Sequence, residues 1–304
     1  MRRGFTAENM RQRRLRRGFI FAGMSANYLF YNGSITKTGK LIISPDNRSF
    51  RYGDGFFETM KLVNGKIILE ELHMERLFSS LERMQFQLPD YFTPAYVREH
   101  VLALAKKNYH DKLARIRLTI FRGDGGLYDV NNHFPHHLIQ TWPLDNSYRS
   151  LNENGLVLDF YRDARKGCDE FSAIKTNNYL ASVMGALWAR QHKWNDVILL
   201  NPFDRVAEAT IANIFMVKDG LIRTPPLSEG PVNGVMRRYL LKKIREADLP
   251  HEVSPLHPDE LLQASEIFLT NSIYGIRWVK QLGNSHYTNQ TASVLHKQFL
   301  EGLF

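Results

Sequence analysis

The sequence predicts an α+β protein in two parts, a small mixed N-terminal domain followed by a larger, β-rich one. Three observations lead to that class. Short strand-like runs close on Asn32-Gly33, Asn64-Gly65 and Asp219-Gly220, dipeptides that accept the positive φ of a tight turn. Other segments carry apolar residues every three or four positions, the period of a helix with one buried face. A stretch rich in turn formers, Trp142-Pro143 through Ser150, reads as a linker (142–150) between residues 24–141 and 151–304.

In the first part, Tyr28–Tyr31 is a predicted strand, and Phe56–Val63 is a second that Asn64-Gly65 turns into Lys66–Glu70. A helix over Leu72–Met84 places Leu77, Leu81 and Met84 on one stripe. Thr93-Pro94 starts another, whose buried face Val97, Val101, Leu104 and Ala105 extends to Tyr109. Ala114–Phe121 alternates: Ala114, Ile116, Leu118 and Ile120 point one way, Arg115, Arg117, Thr119 and Phe121 the other. It runs into the flexible turn Arg122-Gly-Asp-Gly-Gly126.

In the second part, strands are predicted at Leu156–Tyr161, Asp196–Leu200, Ile214–Val217, Leu221–Thr224, Glu266–Leu269 and Ile276–Val279. A helix to His192 carries the stripe Leu180, Val183, Met184 and Leu187. Further helices cover Val235–Ala247, a short piece from Pro258, and Thr291–Leu303.

The 304 residues can bury two cores, and 43% hydrophobic with 23% charged residues is the balance of a soluble protein. No apolar run approaches the roughly 20 residues of a membrane helix, so no membrane partner is expected. The single Cys168 leaves no internal disulfide and fits a reducing, cytoplasmic setting. The net charge of +9 would suggest a nucleic-acid partner, but residues 1–23 hold seven arginines against one acid, Glu8, and carry six of those charges. That tail reads as a basic arm, an acid-poor transit peptide or a disordered leader. We take the leader, and expect no nucleic-acid partner.

The stretch Ile174–Arg238 gathers the candidate chemistry. Lys175 is one basic residue among 40, but it stands where a loop meets a helix and need not face solvent. A desolvated lysine can act as a nucleophile toward a carbonyl. Glu208, read as lying between strands among small apolar residues, is either a solvated turn acid or the carboxylate that holds a proton on a pyridine nitrogen. Val232-Asn-Gly-Val-Met-Arg237 enters a helix through a glycine, the geometry of a phosphate seat. Asn271 and Ser272 add donors to that seat or form an ordinary polar turn. No metal site is expected.

Taken together, Arg51-Tyr-Gly-Asp-Gly-Phe-Phe-Glu-Thr59, His73-Met-Glu-Arg76-Leu, Lys175-Thr-Asn-Asn-Tyr179, Glu208, Asn213-Ile-Phe, Thr224-Pro-Pro and Asn233-Gly-Val-Met-Arg237 resemble the fold-type IV pyridoxal-phosphate enzymes. That group holds branched-chain aminotransferases, D-amino-acid aminotransferases and 4-amino-4-deoxychorismate lyases. The likeness runs through residues 28–304 in order. It implies a small α+β domain and a larger pyridoxal-phosphate-binding domain with the site between them, in a homodimer. It also implies residue roles. Lys175 matches the Schiff-base lysine, Glu208 the partner of the pyridine nitrogen, and Arg76 the phosphate-gripping arginine. Val235 and Met236, through their backbone N–H groups, and Asn271 and Ser272 match the other phosphate contacts, Val232 the residue packed on the ring, and Tyr179 the tyrosine near the phenolic oxygen. Tyr52, Arg117 and Arg122 fall where substrate-side residues lie.

The same likeness separates the branches. The Arg-x-His trap typical of D-amino-acid aminotransferases is absent from Arg122-Gly-Asp-Gly-Gly-Leu-Tyr128, and Asn233-Gly-Val-Met-Arg237 replaces the Pro-Gly-Ile-Thr-Arg usual in branched-chain enzymes. Both segments look more like the lyases, and the paired guanidiniums of Arg117 and Arg122 suit a substrate with two carboxylates. The expectation is a lyase that makes 4-aminobenzoate and pyruvate from 4-amino-4-deoxychorismate for folate biosynthesis. The alternative is an aminotransferase of branched-chain or related amino acids with a 2-oxo acid acceptor. A third reading is a non-catalytic binding protein led by its basic tail.

Overall fold

The computed structural model describes residues 27–39, 42–129 and 132–304; the leader predicted over residues 1–23 lies outside them. Among the described residues the strands form two sheets. The first has the order β2-β1-β6-β5-β3-β4, from β1 (Tyr28–Tyr31), β2 (Ser34–Lys37), β3 (Gly55–Val63), β4 (Lys66–Ile67), β5 (Leu113–Phe121) and β6 (His136–Pro143). Every pairing in it is antiparallel, as sequential hairpins allow.

The alternation of β5 decides what each face does. Ala114, Ile116, Leu118 and Ile120 are buried against the Glu70–Arg83 and Pro94–Lys107 helices through Leu77, Leu81, Val97, Val101 and Leu104. The opposite face carries Arg115 and Arg117, paired across the strand with Lys61 and Thr59. Two expectations change here. The strand after Asn64-Gly65 ends at Ile67, because Leu69 enters the left-handed region at φ 55° and starts the helix at Glu70. Trp142 and Pro143, read as the start of a linker, are the last residues of β6 and pair with Arg115 and Ala114. Proline fits there because β1 pairs with β6 only at Leu138 and Ile139, leaving that edge free.

The second sheet runs β12-β11-β10-β13-β14-β7-β8-β9, with β15 (Ser285–His286) added to β14. Its strands are β7 (Leu156–Tyr161), β8 (Asp196–Leu200), β9 (Val206–Ala209), β10 (Asn213–Lys218), β11 (Leu221–Thr224), β12 (His251–Val253), β13 (Glu266–Asn271) and β14 (Gly275–Leu282). Glu208 therefore lies within β9 opposite Leu199, and not between strands. The Val235–Glu246 and Gln290–Phe299 helices cover one face through Met236, Leu240, Ile244, Ala292 and Leu295, on Phe215, Phe268 and Ile276. No helix among the described residues is long and apolar enough to cross a membrane.

The Leu180–Gln191 helix inverts its expected orientation. Leu180, Val183, Met184 and Leu187 are 73%, 49%, 43% and 48% exposed, while Ser182, Gly185 and Ala189 face inward. The helix sits too close to β8 for large side chains: a Cβ at Gly185 would come within 2.9 Å of Val197 Cγ2. Small residues permit that approach and leave the apolar stripe outside. Gly185→Leu should therefore lower stability by about 1–3 kcal/mol through overpacking, read as a lower urea midpoint. An unchanged midpoint would contradict this packing.

Candidate active site

A cavity of about 380 Å³ opens between the two sheets. Lys175 lines it, held by β3, where Phe57 N donates to Lys175 O at 2.9 Å and Phe56 bridges Thr176. Lys175 Nζ donates to the Tyr179 hydroxyl at 2.8 Å and lies 4.6 Å from the centre of the Phe57 ring. Burial, reinforced by Arg76, lowers the ammonium pKa to about 8 against the pull of Glu208 and Glu58. Burial and then Glu208 push the Tyr179 phenol up, so it stays protonated beside the amine.

Glu208 is buried with both oxygens engaged. Oε2 accepts from Val232 N at 2.9 Å and Asn213 Nδ2 at 3.2 Å, and Oε1 faces Lys166 Nζ at 3.3 Å. Asn213 also donates to Val232 O at 2.8 Å, so one residue holds both the acid and the turn beside it.

Arg76 reaches the cavity from the Glu70–Arg83 helix. Its Nε and Nη2 donate to Glu58 Oε1 and Oε2, each at 2.7 Å, and Nη1 donates to Asn233 O at 2.9 Å. His73 Nδ1 stands 2.8 Å from the same carboxylate. Burial alone would raise the Glu58 pKa, but Arg76 and His73 overcome it and hold the group at about 2. Sequence reasoning missed Glu58. The signal was an acid on the inward face of β3, in step with Phe56, Met60 and Leu62.

An anion seat lies next to Arg76. The Val235–Glu246 helix starts at Gly234 with no side-chain cap, which leaves its first backbone N–H groups free. A Cβ at Gly234 would run into the Asn213 side chain, so only glycine fits the approach. Thr270 Oγ1, on the cavity wall, is buried without a partner among the described residues. Asn271 and Ser272 continue the same wall.

Lys175, Arg76, Tyr179, Glu208, Val232, Val235, Asn271, Ser272 and Arg117 thus line one cavity. The side chains of Tyr52 and Arg122 do not, and Met236 is expected to contribute through its backbone. The Met236 side chain is in the core beneath the helix, so only its backbone belongs to the seat. Tyr52 is 39% exposed, with Arg51 Cζ 5.2 Å from its ring centre. Arg122 turns away past the end of β5, donates to Asp54 Oδ1 at 2.6 Å and to the Met84 and Gln85 carbonyls, and covers Phe86. The guanidinium that joins Arg76 and Arg117 on the cavity wall is Arg115 instead.

The amino-transferase class IV family model matches residues 55–282. The chain belongs to that family. An aminodeoxychorismate lyase of Vibrio harveyi is 31% identical over 233 residues, covering 76% of this chain and 83% of its own length. A Bacillus subtilis aminodeoxychorismate lyase is 28% identical over 270 residues, covering 86% and 89%. A solved branched-chain amino acid aminotransferase from Escherichia coli shares the fold at TM-score 0.81 and 24% identity, over 92% of this chain and 95% of that one.

Class IV enzymes work with pyridoxal 5'-phosphate. The site fits that group: an uncapped helix start, an orphaned buried hydroxyl and an arginine suit its phosphate, and an amine and a fixed carboxylate suit its aldehyde and ring nitrogen. Because the Lys175 pKa falls from 10.5 to about 8, the nucleophilic neutral amine predominates only above that pH. Cofactor uptake by apoprotein, followed as visible absorption, should accelerate through about pH 8 and then level off. Lys175→Ala should abolish the band, and a rate flat across pH 7–9 would sink the assignment.

Proposed function

We propose that this class IV enzyme is a lyase converting 4-amino-4-deoxychorismate to 4-aminobenzoate and pyruvate, a step in folate biosynthesis. The geometric observation that carries the reading is Arg117. Its Cζ lies 3.6 Å from the centre of the Phe57 ring, the ring that also carries Lys175, and it has no carboxylate partner among the described residues. Such a cation suits an amine that bears a carboxylate. The two lyase relatives, and Asn233-Gly-Val-Met-Arg237, favour the lyase over transamination.

In this reading Arg76, the backbone N–H groups of Val235 and Met236, and Thr270, Asn271 and Ser272 hold the cofactor phosphate. Val232 packs on the ring, Tyr179 stands beside the phenolic oxygen, and Glu208 keeps the ring nitrogen protonated. When bound, pyridoxal phosphate supplies an electron sink. Lys175 removes the proton from the amine-bearing carbon and returns one to the departing enolpyruvate. Enolpyruvate leaves as pyruvate, and the ring becomes aromatic.

We also propose that two copies pair through the outward stripe Leu180, Val183, Met184 and Leu187, whose exposure is unusual for so continuous an apolar face. Light scattering should give twice the mass of one chain for the native protein and a single-chain mass for Leu187→Glu. A native monomer would remove that proposal.

The activity is tested by incubating holoenzyme with 4-amino-4-deoxychorismate and measuring 4-aminobenzoate and pyruvate, beside a transamination assay with several amino acids. Equal amounts of both products are expected. Rapid transamination of branched-chain substrates without 4-aminobenzoate would replace the lyase with an aminotransferase.

A further inference from the structure

The small sheet presents more positive charge to the cleft than the reading above uses. Lys61 and Arg115 are direct cross-strand partners, and Arg117 follows on the same face of β5. Like charges directly opposite on a sheet repel. Yet none of the three has a carboxylate within ion-pair distance among the described residues. Arg115 Nε is buried without a hydrogen-bond partner, and Arg115 Cζ lies 5.2 Å from the Trp142 ring centre, on the cavity wall. Lys61 is fully buried, donates to Tyr148 O at 2.6 Å and sits 3.4 Å from the Phe304 ring centre, so it is occupied and cannot turn toward a ligand. Arg117 feels Arg115 directly: burial, then Arg115, pulls its pKa down.

The anions already assigned leave one cation over. Arg76 and the helix start take the phosphate, and Arg117 takes the carboxylate nearer Lys175. Arg115 remains, one strand repeat further along, about 7 Å away for residues two apart. Its neighbours on the cavity wall are Trp142, Tyr148 and Tyr274, flat groups suited to a ring.

We propose that Arg115 holds a second carboxylate of the amine substrate, and that the site thereby selects dicarboxylate over monocarboxylate ligands. This assigns the second anion to Arg115 in place of Arg122, and it rests on the reading of the Lys175–Arg117 cavity as the substrate site. Arg115 acts on specificity; the proton chemistry stays with Lys175.

The test uses holoenzyme and two unreactive probes, benzoate and isophthalate, which share a ring and differ by one carboxylate. Affinity is measured by calorimetry, with the visible absorption of the cofactor as a check on folding. Native protein should bind isophthalate about tenfold or more tightly than benzoate, the scale of one charge-assisted contact. Arg115→Gln should bring that ratio near one while leaving benzoate affinity and the cofactor band unchanged. Arg115→Lys, which keeps the charge, should restore part of the preference. A native protein without the preference, or an Arg115→Gln protein that keeps it, overturns the proposal; should Arg115→Gln lose the cofactor band, an Arg115→Lys ratio indistinguishable from native would do the same. If no 4-aminobenzoate forms but the Arg115-dependent preference persists, the lyase reading falls and this inference stands.

Discussion

The site depends on the pairing of Arg76 with Glu58, a carboxylate that lies behind the cavity wall and acts on it through Arg76. Glu58 sits on the core face of β3, in step with Phe56, Met60 and Leu62, and a lone charge there would be costly. The two-pronged contact from Arg76 and the approach of His73 make it tolerable. In return, Arg76 is fixed with one nitrogen free to cross the cleft and grip Asn233 O. One buried pair beside the six-stranded sheet thus sets the position of a cation beside the helix start at Gly234. Arg238 repeats the link at the surface, where it reaches Glu75 Oε2 at 2.5 Å.

That cation also tunes the nucleophile. A lysine buried among Phe57, Tyr179 and backbone has little solvation, and Arg76 adds like charge nearby. Glu208 and Glu58 pull the other way, but each is already engaged by cations of its own, Lys166 and Arg76. The balance brings the amine's pKa down to about 8, so that it is mostly neutral above that pH.

How much of this the sequence disclosed follows from which physical signal each part carries. The strand β5 was legible because alternation is enforced by one buried face, and so were the turns, whose Asn-Gly and Asp-Gly steps take positive φ. Lys175, Arg76 and Glu208 were reached through motif company, not through local pattern. The errors of side-chain placement share one cause, namely that a side chain's direction is set by its tertiary neighbours. The Leu180–Gln191 stripe looked like core until Gly185 and Ala189 let the helix close on β8. Arg122 looked equivalent to Arg117, but it stands past the strand's end, where Asp54 and two carbonyls capture it. Glu58 gave only a polar residue in an apolar register, a signal easily passed over.

The segment Val232–Arg237 shows why its residues travel together. Val232 N caps Glu208, Val232 O takes Asn213, and Asn233 O takes Arg76. Gly234 lies against the same Asn213 side chain and opens the helix start, so the acid and the anion seat are two ends of one turn. Arg237 points backward and donates to Pro225 O at 2.8 Å, bracing Thr224-Pro225 beneath the turn. A larger residue at Gly234 would displace Asn213, and with it the Glu208 carboxylate that Asn213 holds. The Glu208 carboxylate and the uncapped helix start therefore cannot drift independently, because Asn213 and Val232 fix the span between them.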